Sequence, residues 1–344
     1  MNAWTSAELR TLARLRDGFL SGSAGGADYW GSASDLELYD RTFAQRIGWK
    51  WDAALGELSL RGWTPPAEAL VDWGCGTGIA SRRVLAHWPG AFRSLHLWDR
   101  SPLALSFASA RVREVAPALS QRSGAVETPT LAGTLLLVSH VLTELSEEHM
   151  ERLRKAALAA GALIWVEPAT HQNARRFMEQ IREKLLETGR WRVVAPCTHS
   201  GNCPMLQPEH ARHWCHHFAR VPSEVHQSAA WRELSKKLGV DLRVLPYSFL
   251  AMERVAQQPL AVGPGFQRII GEPREFKGHL RILQCGAEGL SEKVLQKRDA
   301  PALFKRLRSA ESLPLYRWDE QDGRITGGHG VGEGPATGSA GGGT

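Results

Sequence analysis

Apolar positions change period along the chain, and the changes mark its organisation. Over 5–20 they recur at helical spacing, with Leu9, Leu12, Leu15 and Phe19 on one face, and Thr5 followed by Glu8 forms a capping-box pattern. A Gly/Ser/Ala-rich break at 21–27 precedes a second helical stretch, roughly 34–58, whose Tyr39, Phe43, Trp49 and Trp51 read as core. From Trp63-Thr64-Pro65-Pro66 onward, apolar runs at 69–73, 95–98, 134–139 and 162–166 alternate with helical patterns near 78–88, 102–115, 146–160 and 172–188. Such alternation predicts an α/β fold with a parallel sheet covered on both faces. Stretches 192–195 and 247–253 are expected to add edge strands, with a Cys/His-rich segment, 197–217, between them.

Beyond residue 256 the pattern changes again, with short strand-like pieces around 266–270, 279–284 and 292–296. Over 271–308 there are nine basic and five acidic residues, a balance of 9 − 5 = +4. The last 18 residues hold nine glycines and one sizeable apolar side chain, Val331, too little to offset ordering entropy. The expected organisation is therefore a helical extension (1–62) and a sheet domain (63–255) that includes the Cys/His-rich segment 195–218. A small basic β-rich module (256–320) and a disordered Gly-rich tail (321–344) follow.

Composition narrows the class without naming it. With 43% hydrophobic and 23% charged residues, the chain of 344 has ordinary globular make-up, and its net charge is 42 − 36 = +6. No apolar run reaches the roughly 18 residues of a membrane span, and acids and arginines occupy the start where a signal peptide needs an apolar core. The expectation is a cytoplasmic protein with no membrane partner. Five cysteines at irregular spacing do not form a secreted disulfide framework.

The sharpest local signal is Val71-Asp72-Trp73-Gly74-Cys75-Gly76-Thr77-Gly78, leaving the first strand for a helix. Glycines let the backbone turn and approach a ligand, and the helix start beyond them offers unpaired N–H groups. The second strand ends at Asp99, where a carboxylate can accept ribose hydroxyls. The alternative is a plain strand-to-helix turn with Asp99 as a helix cap. The G-x-G-x-G spacing, preceded by an acid, resembles motif I of class I S-adenosylmethionine-dependent methyltransferases. The resemblance assigns cofactor binding to Asp72, Gly74, Gly76, Gly78 and Asp99. At the end of the fourth strand His140 faces the same pocket, either as a base or simply holding the strand end, and Glu144 reads as a helix-start residue. No Asn-Pro-Pro-Tyr or Asp-Pro-Pro-Tyr motif follows, so no catalytic residue is assigned.

Cys197, Cys203 and Cys215 fall in a Pro/Gly-containing segment with five histidines, and Cys285 follows 70 residues later. Cys75, in the glycine loop, reads as a buried free thiol. Four thiolates suit one zinc or an iron–sulfur cluster, and three thiolates with an imidazole remain an alternative. The segment has few apolar residues and several prolines, so the expectation is that metal orders it.

In order, motif I, VSHVLTEL, WVEPAT, APCTHSGNCP, HWCHHF, Cys285 and KVLQKRD resemble the methyltransferase-like family of small-ribosomal-subunit proteins, over roughly 35–318. That family comprises bacterial relatives of mitochondrial small-subunit assembly factors. The resemblance implies a class I (Rossmann-like) methyltransferase fold and a 4Fe-4S cluster on Cys197, Cys203, Cys215 and Cys285. It also implies contact with the small ribosomal subunit and its rRNA, with the chain a monomer off the ribosome. Two positions depart from the pattern: Ala169 stands where the family has glycine, and Thr198 where it has proline. Two functions stay open, an RNA methyltransferase using S-adenosylmethionine and a non-enzymatic assembly or translation factor keeping the fold. A zinc-stapled small-molecule methyltransferase is a third, less favoured because the cysteines reach into the basic module.

Overall fold

The structure, a computed structural model, describes residues 4–20, 30–126, 131–254, 262–309 and 312–333. The predicted break at 21–27 lies outside them, as do 334–344 of the predicted tail. Helix α1 (Ser6–Leu20) begins with the predicted capping box: the Thr5 amide donates to Glu8 at 2.8 Å, and the Glu8 amide donates to Thr5 Oγ1 at 3.2 Å. The second helical stretch is two helices, α2 (Ala33–Asp40) and α3 (Phe43–Leu60), parted at Arg41–Thr42.

The main sheet contains β1 (Ala69–Trp73), β2 (Ser94–Trp98), β3 (Ser120–Ser123), β4 (Thr134–Ser139) and β5 (Ala162–Pro168). These are joined by helices α4 (Ile79–His87), α5 (Pro102–Val115) and α6 (Glu147–Ala159), and α7 (His171–Phe177) follows. Three later strands complete it: β6 (Trp191–Ala195), β7 (His217–Ala219) and β8 (Leu245–Arg254). The order is β3-β2-β1-β4-β5-β8-β6, with β7 also paired to β8. Strands β1 to β5 are mutually parallel, and β8 runs antiparallel to β5, β6 and β7. Leu135, Leu136, Leu137 and Val138 in β4 are all fully buried, as expected of a strand covered on both faces. One face packs on α3 and α4 through Trp51, Leu55, Leu58 and Val84, the other on α6 and α7 through Leu153, Trp165 and Phe177.

Two expectations change. The 247–253 stretch is an internal strand, not an edge: β8 is inserted between β5 and β6, which explains its run of buried residues from Tyr247 to Glu253. Strand β3 escaped the reading because it is a short, mostly exposed polar edge, SQRS, without an apolar run.

The C-terminal module contains β9 (Gln267–Ile269), β10 (Arg274–Phe276), β11 (His279–Gly286), β12 (Gly289–Gln296), β13 (Leu315–Gln321) and β14 (Arg324–Gly330). Their order, β10-β11-β12-β14-β13-β9, closes on itself through a further β9–β11 pairing, leaving β10 at the edge. Its core holds Ile269, Leu280, Ile282, Leu295, Tyr316 and Ile325. Strand β14 overturns part of the predicted disordered tail. Its glycines suit close approach, since a Cβ on Gly328 would stand 2.6 Å from the Arg317 carbonyl, and Ile325 and Val331 supply the buried apolar contacts. Among the described residues no helix is long and apolar enough to cross a membrane.

Candidate functional site

The glycine loop follows β1 directly. The amides of Gly74 and Cys75 donate to the Trp98 carbonyl at 2.8 and 2.9 Å, and the indoles of Trp73 and Trp98 lie 4.3 Å apart, so the ends of β1 and β2 are locked together. Gly74 has φ +73°, and a Cβ there would meet Val141 Cγ1 at 2.8 Å. Gly76 has φ +52° and nothing within 4 Å of where a Cβ would stand. Its amide donates to Asp99 Oδ2 at 2.8 Å, while Asp99 Oδ1 accepts from Ser101 N at 2.9 Å. Asp99 is not the helix cap of the plain-turn alternative: Ser101 caps α5, accepting from Ala104 N.

A cavity of about 960 Å³ opens over this loop. Gly74, Gly76, Asp99 and His140 line it, as does Cys75. Asp72 and Gly78 do not; they build the loop from beneath. Asp72 is fully buried, and its Oδ2 accepts from the Ser81 hydroxyl at 2.6 Å and the Ser81 amide at 3.3 Å, tying β1 to the first turn of α4. Burial, opposed by these bonds, pushes its carboxyl up to about 6. Gly78 packs against Ala108 of α5.

The opposite wall joins His140, expected at this pocket, to α3, whose aromatic residues read as core. His140 follows β4 in the left-handed region, φ 55°, a conformation that non-glycine residues adopt only where the surroundings impose it. Its amide donates to Val166 O at 2.9 Å, and its Nε2 lies 3.2 Å from Lys50 Nζ of α3. Trp51, next on α3, donates to Ser139 Oγ at 2.9 Å. Burial first, then Lys50 and Arg46, hold the His140 imidazole well below its ordinary range, so it is neutral. Burial and Arg46 bring the Lys50 ammonium down to about 7, with Glu167 opposing. Glu144, read as a helix-start residue, instead lines the cavity 3.4 Å from Arg100, and burial pushes it up to about 7. The cap of α6 is Ser146. Glu167 is buried, also raised to about 7 by burial, and its Oε1 accepts from Val141 N, Leu142 N and Trp165 Nε1.

The family model for the mitochondrial small ribosomal subunit protein Rsm22 matches residues 53–313, well over half of the chain; it spans the glycine loop and the ends of β2, β4 and β5, while the lining residues of α1, α2 and α3 precede it. The chain belongs to the Rsm22 family. No curated protein matches it. Among solved structures it is similar to magnesium protoporphyrin IX methyltransferase from Synechocystis with bound S-adenosylmethionine, at 15% identity and TM-score 0.36, covering 74% of this chain and 100% of that one. It is also similar to the CurJ carbon methyltransferase, at 14% identity and TM-score 0.37, covering 73% of this chain and 67% of that one.

The four later cysteines of this Rsm22-family chain lie in or against one apolar layer. Cys203, Cys215 and Cys285 are buried in the apolar layer on the α6/α7 side of the sheet, and the half-buried Cys197 packs against it. Their charges bear on one another: burial first, then Cys197, pushes Cys203 up to about 12, and burial with the other three raises Cys215 well above the ordinary thiol range. Cys75 stands apart, beside Asp72 and Asp99. Among the described residues no group of three or more His, Cys, Asp or Glu is one that could hold a metal ion.

Two buried arginines correct the expectation that metal alone orders this segment. Arg61, at the end of α3, donates to the carbonyls of Val194 and Cys197 at 2.9 Å and of Pro196 at 2.5 Å. Arg182 donates to Gly201 O at 2.8 Å and His199 O at 3.3 Å. Glu57 accepts from Arg61 at 2.7 Å and pairs with Arg268 of β9, all three side chains being at most 4% exposed. Nothing in the residue spacing pointed to these arginines: Arg61 lies 133 to 136 residues from its carbonyl partners in sequence and Arg182 lies 17 and 19 from its own.

Proposed function

We propose that the cavity binds S-adenosylmethionine within a class I methyltransferase domain, and that the protein acts at small-subunit ribosomal RNA. The observation that carries the cofactor reading is the Gly76–Asp99 contact beside open space: the loop is held against the second strand, and no side chain fills the volume above it. A nucleoside fits this arrangement, with Asp99 and the loop amides at its ribose. Family membership supports the ribosomal partner. The basic face of 271–308 supports RNA contact, although ion pairs such as Arg274–Glu292 and Arg308–Glu275 neutralise part of it. Lys277, Lys297 and Lys305, which form no ion pair among the described residues, are the better phosphate ligands.

Cys197, Cys203, Cys215 and Cys285 suit a 4Fe-4S cluster by donor chemistry. Four thiols share one apolar layer, with the Arg182 and Arg268 guanidiniums close enough to offset thiolate charge. Its contribution would be structural, joining the module to the sheet domain. The single experiment is anaerobic purification, metal and sulfide analysis, and calorimetric titration of S-adenosylmethionine on the same sample. Binding with four irons and labile sulfide fits the proposal; zinc in place of iron removes the cluster, and no heat removes the cofactor.

A second reading, a non-enzymatic assembly factor, is favoured by Ala169 beyond β5 and by the absence of an Asn-Pro-Pro-Tyr or Asp-Pro-Pro-Tyr motif after β4. Incubation of the protein with small-subunit RNA and labelled cofactor separates the two.

A further inference from the structure

The cavity wall opposite Asp99 carries two cations one turn apart on α3, Arg46 and Lys50. Arg46 donates to the Asp241 carbonyl at 3.0 Å, and Lys50 meets only the neutral His140 ring, at 3.2 Å. Neither forms an ion pair among the described residues. The acid that bears on Lys50, Glu167, spends Oε1 on two backbone amides and an indole. The Asp241 carboxylate bears on Arg46, so Lys50 is the half-buried cation left without an ion-pair partner, and that cost falls when a ligand brings a negative charge.

Position says which charge. Asp99 follows β2 and His140 follows β4, with β1 between them, so the two ends of the site are separated by two strand spacings, about 10 Å. A ligand with its ribose at Asp99, lying across Gly74 and Gly76, ends at Lys50. In S-adenosylmethionine the group at that end is the amino-acid carboxylate. We propose that Lys50, backed by Arg46, is the carboxylate subsite of the cofactor pocket, with the Lys50 ammonium donating to the methionine carboxylate. His140 positions that ammonium. This rests on the reading that the cavity takes S-adenosylmethionine.

The test is calorimetric titration of the full chain with S-adenosylhomocysteine and with methylthioadenosine, which keeps the nucleoside and sulfur but has no amino-acid end. Lys50→Met is expected to weaken S-adenosylhomocysteine about 10- to 100-fold, the scale of one charged hydrogen bond, and methylthioadenosine less than about 2-fold. Lys50→Arg should restore most of the loss. Unchanged methylthioadenosine affinity also proves that the variant is folded. Equal losses for both ligands, or none for either, overturn the subsite while leaving the cofactor reading intact. A loss confined to RNA affinity overturns it in favour of a nucleotide phosphate. If the unaltered protein binds neither compound, the cofactor reading falls and takes the subsite with it.

Discussion

The Gly76 amide donates to the Asp99 carboxylate at 2.8 Å, joining the loop that leaves β1 to the end of β2. Because the other Asp99 oxygen accepts from Ser101 N, the carboxylate both shapes the loop and fixes the start of α5. Asp99→Ala is therefore expected to weaken S-adenosylmethionine by about 1.5–3 kcal/mol, the scale of a lost hydrogen bond to a charged group. Titration calorimetry checks it, and equal affinities for the two proteins would remove Asp99 from the ribose site.

Glu167 gives a pH signature. Burial raises its carboxyl from 4.5 to about 7, so between those values the folded state holds a proton that the unfolded chain has released. Stability must then fall as pH rises through that window, with the full loss present above about 7. The interval corresponds to at most about 3 kcal/mol. Asp72 and Glu144 are shifted in the same direction, so only the difference between variant and parent isolates Glu167. Glu167→Gln, neutral throughout, should flatten the dependence of urea-unfolding free energy on pH between 5 and 8. Parallel slopes for the two proteins would refute this.

The parts of this architecture that were legible in sequence are those whose signal is local. Strands β1 and β4 sit where their apolar runs lie, and the capping box at Thr5 and Glu8 is formed. The loop Gly74–Gly76 and Asp99 meet as their spacing along two neighbouring strands implied. What stayed hidden depends on tertiary neighbours. Lys50 sits among aromatic residues on α3, and nothing in a helical pattern tells a surface lysine from one turned into a cavity. Strand β14 reads as a Gly-rich tail because its buried contacts, Ile325 and Val331, are few, and its glycines are explained only by the β13 backbone beside them. Arg61 and Arg182 are ordinary in sequence and become organising groups only when the chain brings the 195–201 carbonyls to them.

Glu57 serves two buried guanidiniums, Arg61 in its own helix and Arg268 in the C-terminal module. Removing the acid leaves both cations unpaired, whereas removing one arginine leaves a pair. Glu57→Ala should therefore cost about 3–5 kcal/mol, and Arg268→Leu distinctly less. Denaturant midpoints of the two variants order the effects, and a Glu57→Ala midpoint equal to that of the parent would show that the triad is not stabilising.

The remaining expectation concerns the four thiols, and the buried arginines change its form. If Cys197, Cys203, Cys215 and Cys285 hold a cluster, Cys285→Ser should abolish the brown absorbance of anaerobically prepared protein, because serine is a poor ligand for iron. Cys75→Ser should leave it intact, since Cys75 lies in the glycine loop beside Asp72 and Asp99. Loss of the cluster need not release the segment, however, because Arg61 still holds the Val194, Pro196 and Cys197 carbonyls and Arg182 those of His199 and Gly201. The C-terminal module keeps the Arg268–Glu57 pair as a second tie. Cleavage by protease beyond residue 256 should accordingly rise modestly in Cys285→Ser and sharply only when Arg268→Leu is added, the two ties acting on the same contact. Sharp cleavage in Cys285→Ser alone would make the metal the dominant tie. Undiminished iron in that variant would exclude Cys285 as a ligand and direct attention to His217, whose Nε2 lies 3.6 Å from Cys215 Sγ.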